Sequence, residues 1–584
     1  MMPRMGRPAG HLLVLHLKEW RSTLLLGVLL AWLAALGVRA MYLQVWHQPF
    51  LQRKGDAMTS RVMALPAHRG MVSDRHGEVL AISTPVESLW FNPSDDSLDA
   101  GQVARLSAVL HMPIPELRHK LADTDHDFVW IKRRLPPDEA AAVTRLSIPG
   151  LSLTREYRRY YPMADLLGAV LGFTGVDDNG QEGLELGLQN QLAGRDGSHR
   201  VLIDRHGDVI EDVQSILAPK PGQDVQLALD MRLQYVAARA LEAAVTANKA
   251  KSGSLVMLDA RTGEVLAMVN VPSFNPNNLS GTQAWVRRNR VITDEYEPGS
   301  TLKPIALTAA LDAGEVRPDT QIDTSPGKWQ VGNRWIHDAH PEGVLTVEQI
   351  IEKSSNVGAS KIILSLQPAY FWQKLHDAGF GSIPITDFPG AASGSVRPWQ
   401  HWRPIEQATM SYGNGISVSL LQLARAYTVF TNHGMLKPIS LVKLSGAAPA
   451  GEQVFSARSA DEMAQMLTKV VTKDGTAPQA ALDDYTDAGK TGTAHIPDHG
   501  GYSANRYVAS FIGFAPANNP RLILAVAVME PSAGQYYGGS VAGPVFHQVM
   551  EDSLHLLNVP PDKALTIKTT AGAARGVTAK EGGT

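Results

Sequence analysis

Ser300 and Lys303 stand three residues apart in Tyr296-Glu297-Pro298-Gly299-Ser300-Thr301-Leu302-Lys303-Pro304, at the start of an expected helix. Residues at that spacing lie on one helix face, so the lysine amine can reach the serine hydroxyl. A hydroxyl attacks a carbonyl well only when a base takes its proton, and a lysine can be that base only if burial or a nearby cation keeps it neutral. The helix start adds backbone N–H groups suited to a developing oxyanion. Pro304 is compatible with this position because first-turn amides lack intrahelical acceptors. Taken alone, Ser-x-x-Lys is common by chance and describes a helix cap with a surface lysine equally well. Two other clusters change the balance. Ser354-Ser355-Asn356 falls in a break between two expected helices, where Ser354 can relay a proton and Asn356 can bond a substrate amide. Lys490-Thr491-Gly492-Thr493 reads as the start of an edge strand, whose cation, hydroxyls and glycine can receive a carboxylate. The Ser354 cluster alone would pass for an ordinary polar helix-capping turn. Together, in this order, the three imply an acyl-transfer site in which Ser300 becomes acylated.

Other polar groupings carry less. Gly489-Lys490-Thr491 could end a phosphate-binding loop, but that motif needs glycine six positions before the lysine, and Asp484 stands there. His337, Asp338 and His340 do not have the spacing of a helical metal-ligand pair and read as a polar loop. Arg287, Arg288 and Arg290 read as a solvated basic face near the site entrance. Asp177, Asp178 and Glu182 could suggest paired catalytic carboxylates, yet the turn residues around them favour a surface loop. Tyr536-Tyr537-Gly538-Gly539 fits either a glycine-kinked aromatic edge of the cleft or a simple turn. No cofactor and no metal is implied.

The elements around the three clusters follow from local pattern. After Asp224 the pattern is that of an α/β domain. Asp230 is a plausible cap for helical spacing that runs to Val245. Ser254–Asp259 and Val265–Val269 flank a Thr262-Gly263 turn and predict a hairpin; Val508–Phe514 and Leu522–Met529 predict a second strand pair. An antiparallel sheet drawn from both ends of the domain is therefore expected. Helices are expected over Thr301–Ala313, Thr346–Lys353, Gly358–Leu366 and Ser419–Thr431, with Thr346 and Gln349 forming a capping box.

A chain of 584 residues is too long for one core. Net charge is −3, which gives no reason to expect nucleic acid as a partner, and the absence of cysteine excludes disulfides and thiol chemistry. Ser22 to Val38 is apolar and uncharged, near the short limit for spanning a bilayer. Arg4, Arg7, Lys18 and Arg21 precede it, against the single acid Glu19, which predicts a cytoplasmic N-terminus and an extracytoplasmic body. Val38-Arg39-Ala40 resembles a signal cleavage site, but the arginine within it and the long preceding region favour an uncleaved anchor. The expected divisions are a cytoplasmic segment 1–21, an anchor 22–39, a mixed scaffold 40–222, a catalytic domain 223–558 and a disordered tail 559–584.

From Arg69 to about Met550 the sequence resembles the class B penicillin-binding proteins, and most closely their FtsI-type septal transpeptidases. The scaffold half contributes Arg69-Gly-x-x-x-Asp74-Arg-x-Gly77 and Arg159-x-Tyr161-Pro162. The rest comes from Arg288-Asn-Arg290, Glu297-Pro-Gly-Ser300, Ser354-x-Asn356, Tyr412-Gly413-x-Gly415, Ala488-Gly-Lys490-Thr-Gly-Thr and Tyr536-Tyr-Gly-Gly with Pro544-Val-Phe546. Glu297 resembles the septal branch more than the elongation branch. One departure is Ala391, after Phe388-Pro389-Gly390, where similar proteins usually carry glutamate. The resemblance implies an α+β fold of α/β/α type: a penicilloyl-serine transferase domain with an antiparallel sheet flanked by helices. A mixed pedestal of dimerisation type and one transmembrane helix would precede it. It also implies a peptidoglycan D,D-transpeptidase of the inner membrane, facing the periplasm. The substrate would be a stem peptide ending in D-Ala-D-Ala, β-lactams would trap the acyl-enzyme, and an FtsW-like glycosyltransferase with other divisome membrane proteins would be partners. Catalytic residues would be Ser300, Lys303, Ser354, Asn356 and Lys490. Thr491, Gly492 and Thr493 would bind substrate, and the amides of Ser300 and Thr493 would form the oxyanion hole. Rival readings are an elongation-type transpeptidase, a D,D-carboxypeptidase or β-lactamase of the same fold, and a structural division subunit with a vestigial site. No glutamate placed to activate a deacylating water is evident, and the intact Ser300, Lys303 and Lys490 argue against a vestigial site.

Overall fold

The computed structural model describes residues 19–48, 50, 60–93, 97–122, 128–203, 209–385, 387–498 and 501–563. Arg4, Arg7 and Lys18, part of the expected basic flank, lie outside the described residues. Helix α1 (Glu19–Met41) contains the expected anchor, and an 18-residue window within Glu19–Trp46 has mean hydropathy 2.1. At 1.5 Å per residue its 23 residues are long enough for a bilayer core of about 30 Å.

The chain divides into two compact units. One holds Met1–Pro66, Glu87–Arg155 and Asp196–Pro219; the other holds Ala67–Val86, Glu156–Arg195 and Lys220–Thr584. In the first, the strands Ser60–Leu65, Gly197–Ile203 and Val209–Leu217 form a three-stranded antiparallel sheet. A separate small core of Leu106, Leu110, Leu117, Ile131 and Leu135 joins the helices Ala100–Leu110 and Ile114–Leu121 to the strand Val129–Leu135.

The second unit is built on a sheet of β1 (Ser252–Asp259), β2 (Val265–Val271), β3 (Ala488–Asp498), β4 (Gly501–Ala515) and β5 (Leu522–Met529). Its order is β2-β1-β5-β4-β3 and every pairing is antiparallel. Both expected strand pairs are present, and the Lys490 strand is the edge strand β3. Every residue of β1 is buried, so the sheet is covered on both faces and shows little polar–apolar alternation.

The helices that matter for the site are α2 (Met231–Ala247), α3 (Lys303–Asp312), α4 (Val347–Lys353), α5 (Asn356–Ile363) and α6 (Gly543–Leu556). Asp230 caps α2 by accepting from the Arg232 amide, and α2 packs with α6 on the sheet. Thr346 and Gln349 form the expected capping box of α4. The helix expected over Ser419–Thr431 breaks at Tyr427, whose buried hydroxyl donates to the Thr301 carbonyl at 2.8 Å. Tyr427 keeps helical backbone angles there, and its amide still donates to the Leu423 carbonyl. The scaffold motifs are structural: Arg69 Nε and Arg159 Nε each donate to the buried Glu185 carboxylate at 2.7 Å. Asp74 accepts from the amides of His76 and Glu78 and shapes the turn ending at Gly77.

Two expectations change here. Arg290 does not belong to a solvated face. It is 6% exposed, with Nη2 donating to the Pro272 carbonyl at 2.8 Å, because its short helix is folded against the sheet core. Residues 559–563, expected to open the tail, are held by specific bonds: Tyr485 Oη donates to the Val559 carbonyl and the Thr486 amide to Asp562. Residues 564–584 lie outside the described residues.

Candidate active site

Ser300 lies in a 3-10 turn, Gly299–Leu302, that runs directly into α3 at Lys303. A 3-10 turn has three residues per turn, so residues i and i+3 eclipse and the lysine stands over the serine. Lys303 Nζ is 3.0 Å from Ser300 Oγ. The same nitrogen is 2.6 Å from the Ser354 carbonyl, 2.7 Å from Asn356 Oδ1 and 3.1 Å from Ser354 Oγ. The two carbonyl oxygens can only accept. A neutral amine therefore spends its two N–H bonds on them, and its lone pair is left for a serine hydroxyl.

Ser354 ends α4 in the left-handed region, with φ 62°. That conformation costs a non-glycine residue energy, and here it turns both the carbonyl and the hydroxyl of Ser354 toward Lys303. Ser355 starts α5 as its cap, accepting from the Gly358 amide. On the far side, Lys490 Nζ donates to Ser354 Oγ at 2.9 Å, so that hydroxyl sits between two amines. Both lysine side chains are fully buried. Burial, then the neighbouring Lys490 charge, hold the Lys303 amine well below the ordinary lysine range, with Asp338 opposing. Burial alone pushes Lys490 down to about 7.

Edge strand β3 forms the opposite wall. Thr491 Oγ1 is 2.9 Å from Thr476 Oγ1, and Thr493 Oγ1 accepts from the Gly538 amide at 3.0 Å. Gly492 is required by close approach: a Cβ there would strike Ser510 Oγ and sit 2.9 Å from Thr301 Cγ2 and 3.0 Å from the Pro298 carbonyl. Gly413, at φ 84°, lies so close to Gly299 that a Cβ would strike its backbone. Glu297 ties the same region together, accepting from the Gly415 amide at 2.9 Å and from Tyr502 Oη at 3.0 Å. Burial raises its carboxyl above the usual range.

The structure thus gathers Ser300, Lys303, Ser354, Asn356 and Lys490 into one hydrogen-bonded set, with Thr491, Gly492 and Thr493 on the adjoining strand. Asp338 was read as part of a polar loop and does more than that. Its Oδ1 accepts from the amides of Asn356 at 2.5 Å and Val357 at 2.9 Å, and its Oδ2 from Ser355 Oγ at 2.7 Å. It anchors the start of α5 and supplies the negative charge facing Lys303. Nothing in its local sequence signals this, because its partners come from a segment brought to it only by folding. Tyr427 and Thr476 were missed for the same reason. Gly538, expected at the cleft edge, contributes through its amide. Asp177, Asp178 and Glu182 take no part in this set; Glu182 is 3.7 Å from Arg287. Among the described residues, the potential metal ligands that cluster are Asp484, Glu551 and His555, and His555 lies 3.2 Å from Asp484 and 3.4 Å from Glu551.

Residues 253–551 match the family model described as penicillin binding protein transpeptidase domain, and residues 64–227 the one described as penicillin-binding protein dimerisation domain. The chain belongs to the class B penicillin-binding proteins. It is 44% identical to a "Probable peptidoglycan D,D-transpeptidase PenA" of Neisseria gonorrhoeae, over 91% of this chain and 92% of that protein. This penicillin-binding protein is also 39% identical to the "Peptidoglycan D,D-transpeptidase FtsI" of Escherichia coli K12, over 94% of each. A solved structure, the apo transpeptidase domain of Burkholderia pseudomallei penicillin-binding protein 3, is similar at TM-score 0.54 and 44% identity. It covers 58% of this chain and 98% of that one. Ala391, the departure noted above, is half-buried against the core of this unit.

Proposed function

We propose that this protein is a serine-type peptidoglycan D,D-transpeptidase that works through a Ser300 acyl-enzyme, in septal wall synthesis. The observation that carries the reading is the 3.0 Å approach of Lys303 Nζ to Ser300 Oγ while two carbonyl acceptors occupy the N–H bonds of the amine.

In this mechanism Ser300 Oγ attacks the penultimate D-Ala carbonyl of a stem peptide ending in D-Ala-D-Ala, and its proton passes to Lys303. The amides of Ser300 and Thr493 hold the oxyanion. Lys303 returns the proton through Ser354 Oγ to the leaving D-Ala nitrogen as the peptide bond breaks, which leaves the Ser300 ester. Lys490, Thr491 and Thr493 receive the terminal carboxylate, and Asn356 bonds a substrate amide. The amine of a second stem peptide then attacks the ester and loses its proton to Lys303, which passes it to Ser300 Oγ as the ester bond breaks, forming the cross-link and restoring the hydroxyl. A β-lactam follows the first half and stops at the ester.

The septal role rests on the Glu297-Pro-Gly-Ser300 pattern and on the similarity to the FtsI-named relative. Residues 22–39 serve as the single inner-membrane anchor, residues 40–222 as a periplasmic pedestal and 223–558 as the catalytic domain. An FtsW-like glycosyltransferase and other divisome proteins are the partners. A fluorescent penicillin is expected to label the parent protein and not Ser300→Ala; equal labelling of both refutes the nucleophile. Replacement of the native gene by the Ser300→Ala copy is expected to give filamentous cells, whereas rounded cells would assign it to elongation.

A further inference from the structure

A two-stranded antiparallel ribbon, Lys328–Val331 with Arg334–His337, adjoins Asn356, and the side chains of its outer face make no contact with the acylation set. Its register pairs Lys328 with His337, Trp329 with Ile336, Gln330 with Trp335 and Val331 with Arg334. Strand alternation turns Trp329, Val331 and Ile336 inward, into a small cluster with Val357 and Ala408. The outer face carries Lys328, Gln330, Trp335 and His337, all exposed. Trp335 is 53% exposed, and Lys328 Nζ lies 5.5 Å from its ring centroid. Among the described residues, neither Lys328 nor Arg334 has a carboxylate within ion-pair distance.

The ribbon is continuous with the candidate active site. The His337 carbonyl accepts from Asn356 Nδ2 at 2.9 Å, and the next residue, Asp338, anchors the helix that Asn356 opens. At roughly 3.3 Å per residue, Trp335 stands about 7 Å along the strand from that tie, within reach of a polymer whose peptide occupies the cleft.

We propose that the outer face of this ribbon binds the glycan strand of peptidoglycan, with a sugar ring against Trp335 and stem-peptide carboxylates against Lys328. The proposal rests on the transpeptidase reading above and extends it from the stem peptide to the polymer that carries it. A lone indole flanked by an amide, an imidazole and an unpaired cation suits a ligand with apolar C–H faces, hydroxyls, amides and carboxylates. The same face offers one large apolar group, too little for a stable protein interface, which needs about 1,000 Å² or more of buried surface. The unpaired charges are positive, the sign that an anionic glycopeptide requires.

The test is co-sedimentation of the full-length protein in detergent with purified peptidoglycan sacculi, alongside fluorescent-penicillin labelling of the same samples. Trp335→Ala is expected to weaken sedimentation roughly fivefold, the worth of one good aromatic contact, with labelling unchanged. Lys328→Glu is expected to weaken it too, in a manner that fades as salt is raised. Trp335→Phe, which keeps a ring, is expected to retain more binding than the alanine variant. Glycan chains stripped of their peptides are expected to compete for the parent protein. Undiminished sedimentation of a normally labelled Trp335→Ala protein overturns the proposal, and so does competition by free stem peptide with none by stripped glycan. Absence of labelling in the parent protein counts against the acylation reading instead, since labelling reports on Ser300 and the sedimentation difference between the parent and Trp335→Ala reports on the ribbon.

Discussion

Replacing Asp338 by asparagine should move the acid limb of acylation to lower pH. The side chain keeps its shape, and its remaining oxygen can still accept from the Asn356 and Val357 amides. Ser355 Oγ, which now donates to Asp338, can accept from the new amide instead, although it already accepts from Gly358. What is lost is one negative charge, reached from Lys303 through Asn356, whose Oδ1 is 2.7 Å from the lysine amine. Two unit charges on the order of 7 Å apart, at an effective dielectric constant of about 20–40, interact by about 1–2 kcal/mol, or about one pKa unit. Asp338 opposes the depression of Lys303, so removing it lowers that pKa further and leaves more neutral base at acid pH. The pH profile of the second-order rate of penicillin acylation should therefore shift down by about one unit on its acid side. The weaker N-terminal interaction of α5 should cost about 1 kcal/mol, read as a small fall in Tm. An acid limb that stays put, or moves up, in a protein of near-normal Tm would refute the electrostatic role of Asp338.

Lys490→Met should abolish acylation, because Ser354 Oγ loses its 2.9 Å partner, and yet raise stability by about 1–4 kcal/mol at low pH by removing a buried cation. The sign follows from linkage: burial holds this amine at about 7 against 10.5, so the unfolded chain binds more protons between those values and parent stability rises with pH across them. The Tm advantage of the methionine variant should thus be greatest below pH 7 and fade toward 10.5; a pH-independent difference would contradict it. Gly492→Ala should cost about 1–3 kcal/mol and at least a tenfold loss in acylation rate, because the new methyl meets Ser510 Oγ on β4 as well as Thr301 and the Pro298 carbonyl beside Ser300. Normal acylation at normal Tm would show that the turn and β3 can separate freely.

Local pattern specified a good deal of this protein. The hairpin at Thr262-Gly263, the capping box at Thr346 and Gln349, the Asp230 cap and the apolar N-terminal helix all depend on neighbours in sequence, and each is present. The three polar clusters were legible because chemistry restricts residue type and because their fixed order leaves little to chance. What local pattern cannot convey is which segments meet. Tyr427 donates its hydroxyl to Thr301, Thr476 meets Thr491, and Arg290 enters the core although it sits in a basic run. Asp338 came from a loop that resembled any other polar loop, and only the folded chain set it against the start of α5. The sequence by itself determined which residues could perform acyl transfer. The tertiary structure decided that Lys303 is buried beside Lys490 and opposed by Asp338. Whether an amine is a base or an inert cation depends on solvent exclusion and on charges from distant segments, and both exist only once the chain has folded.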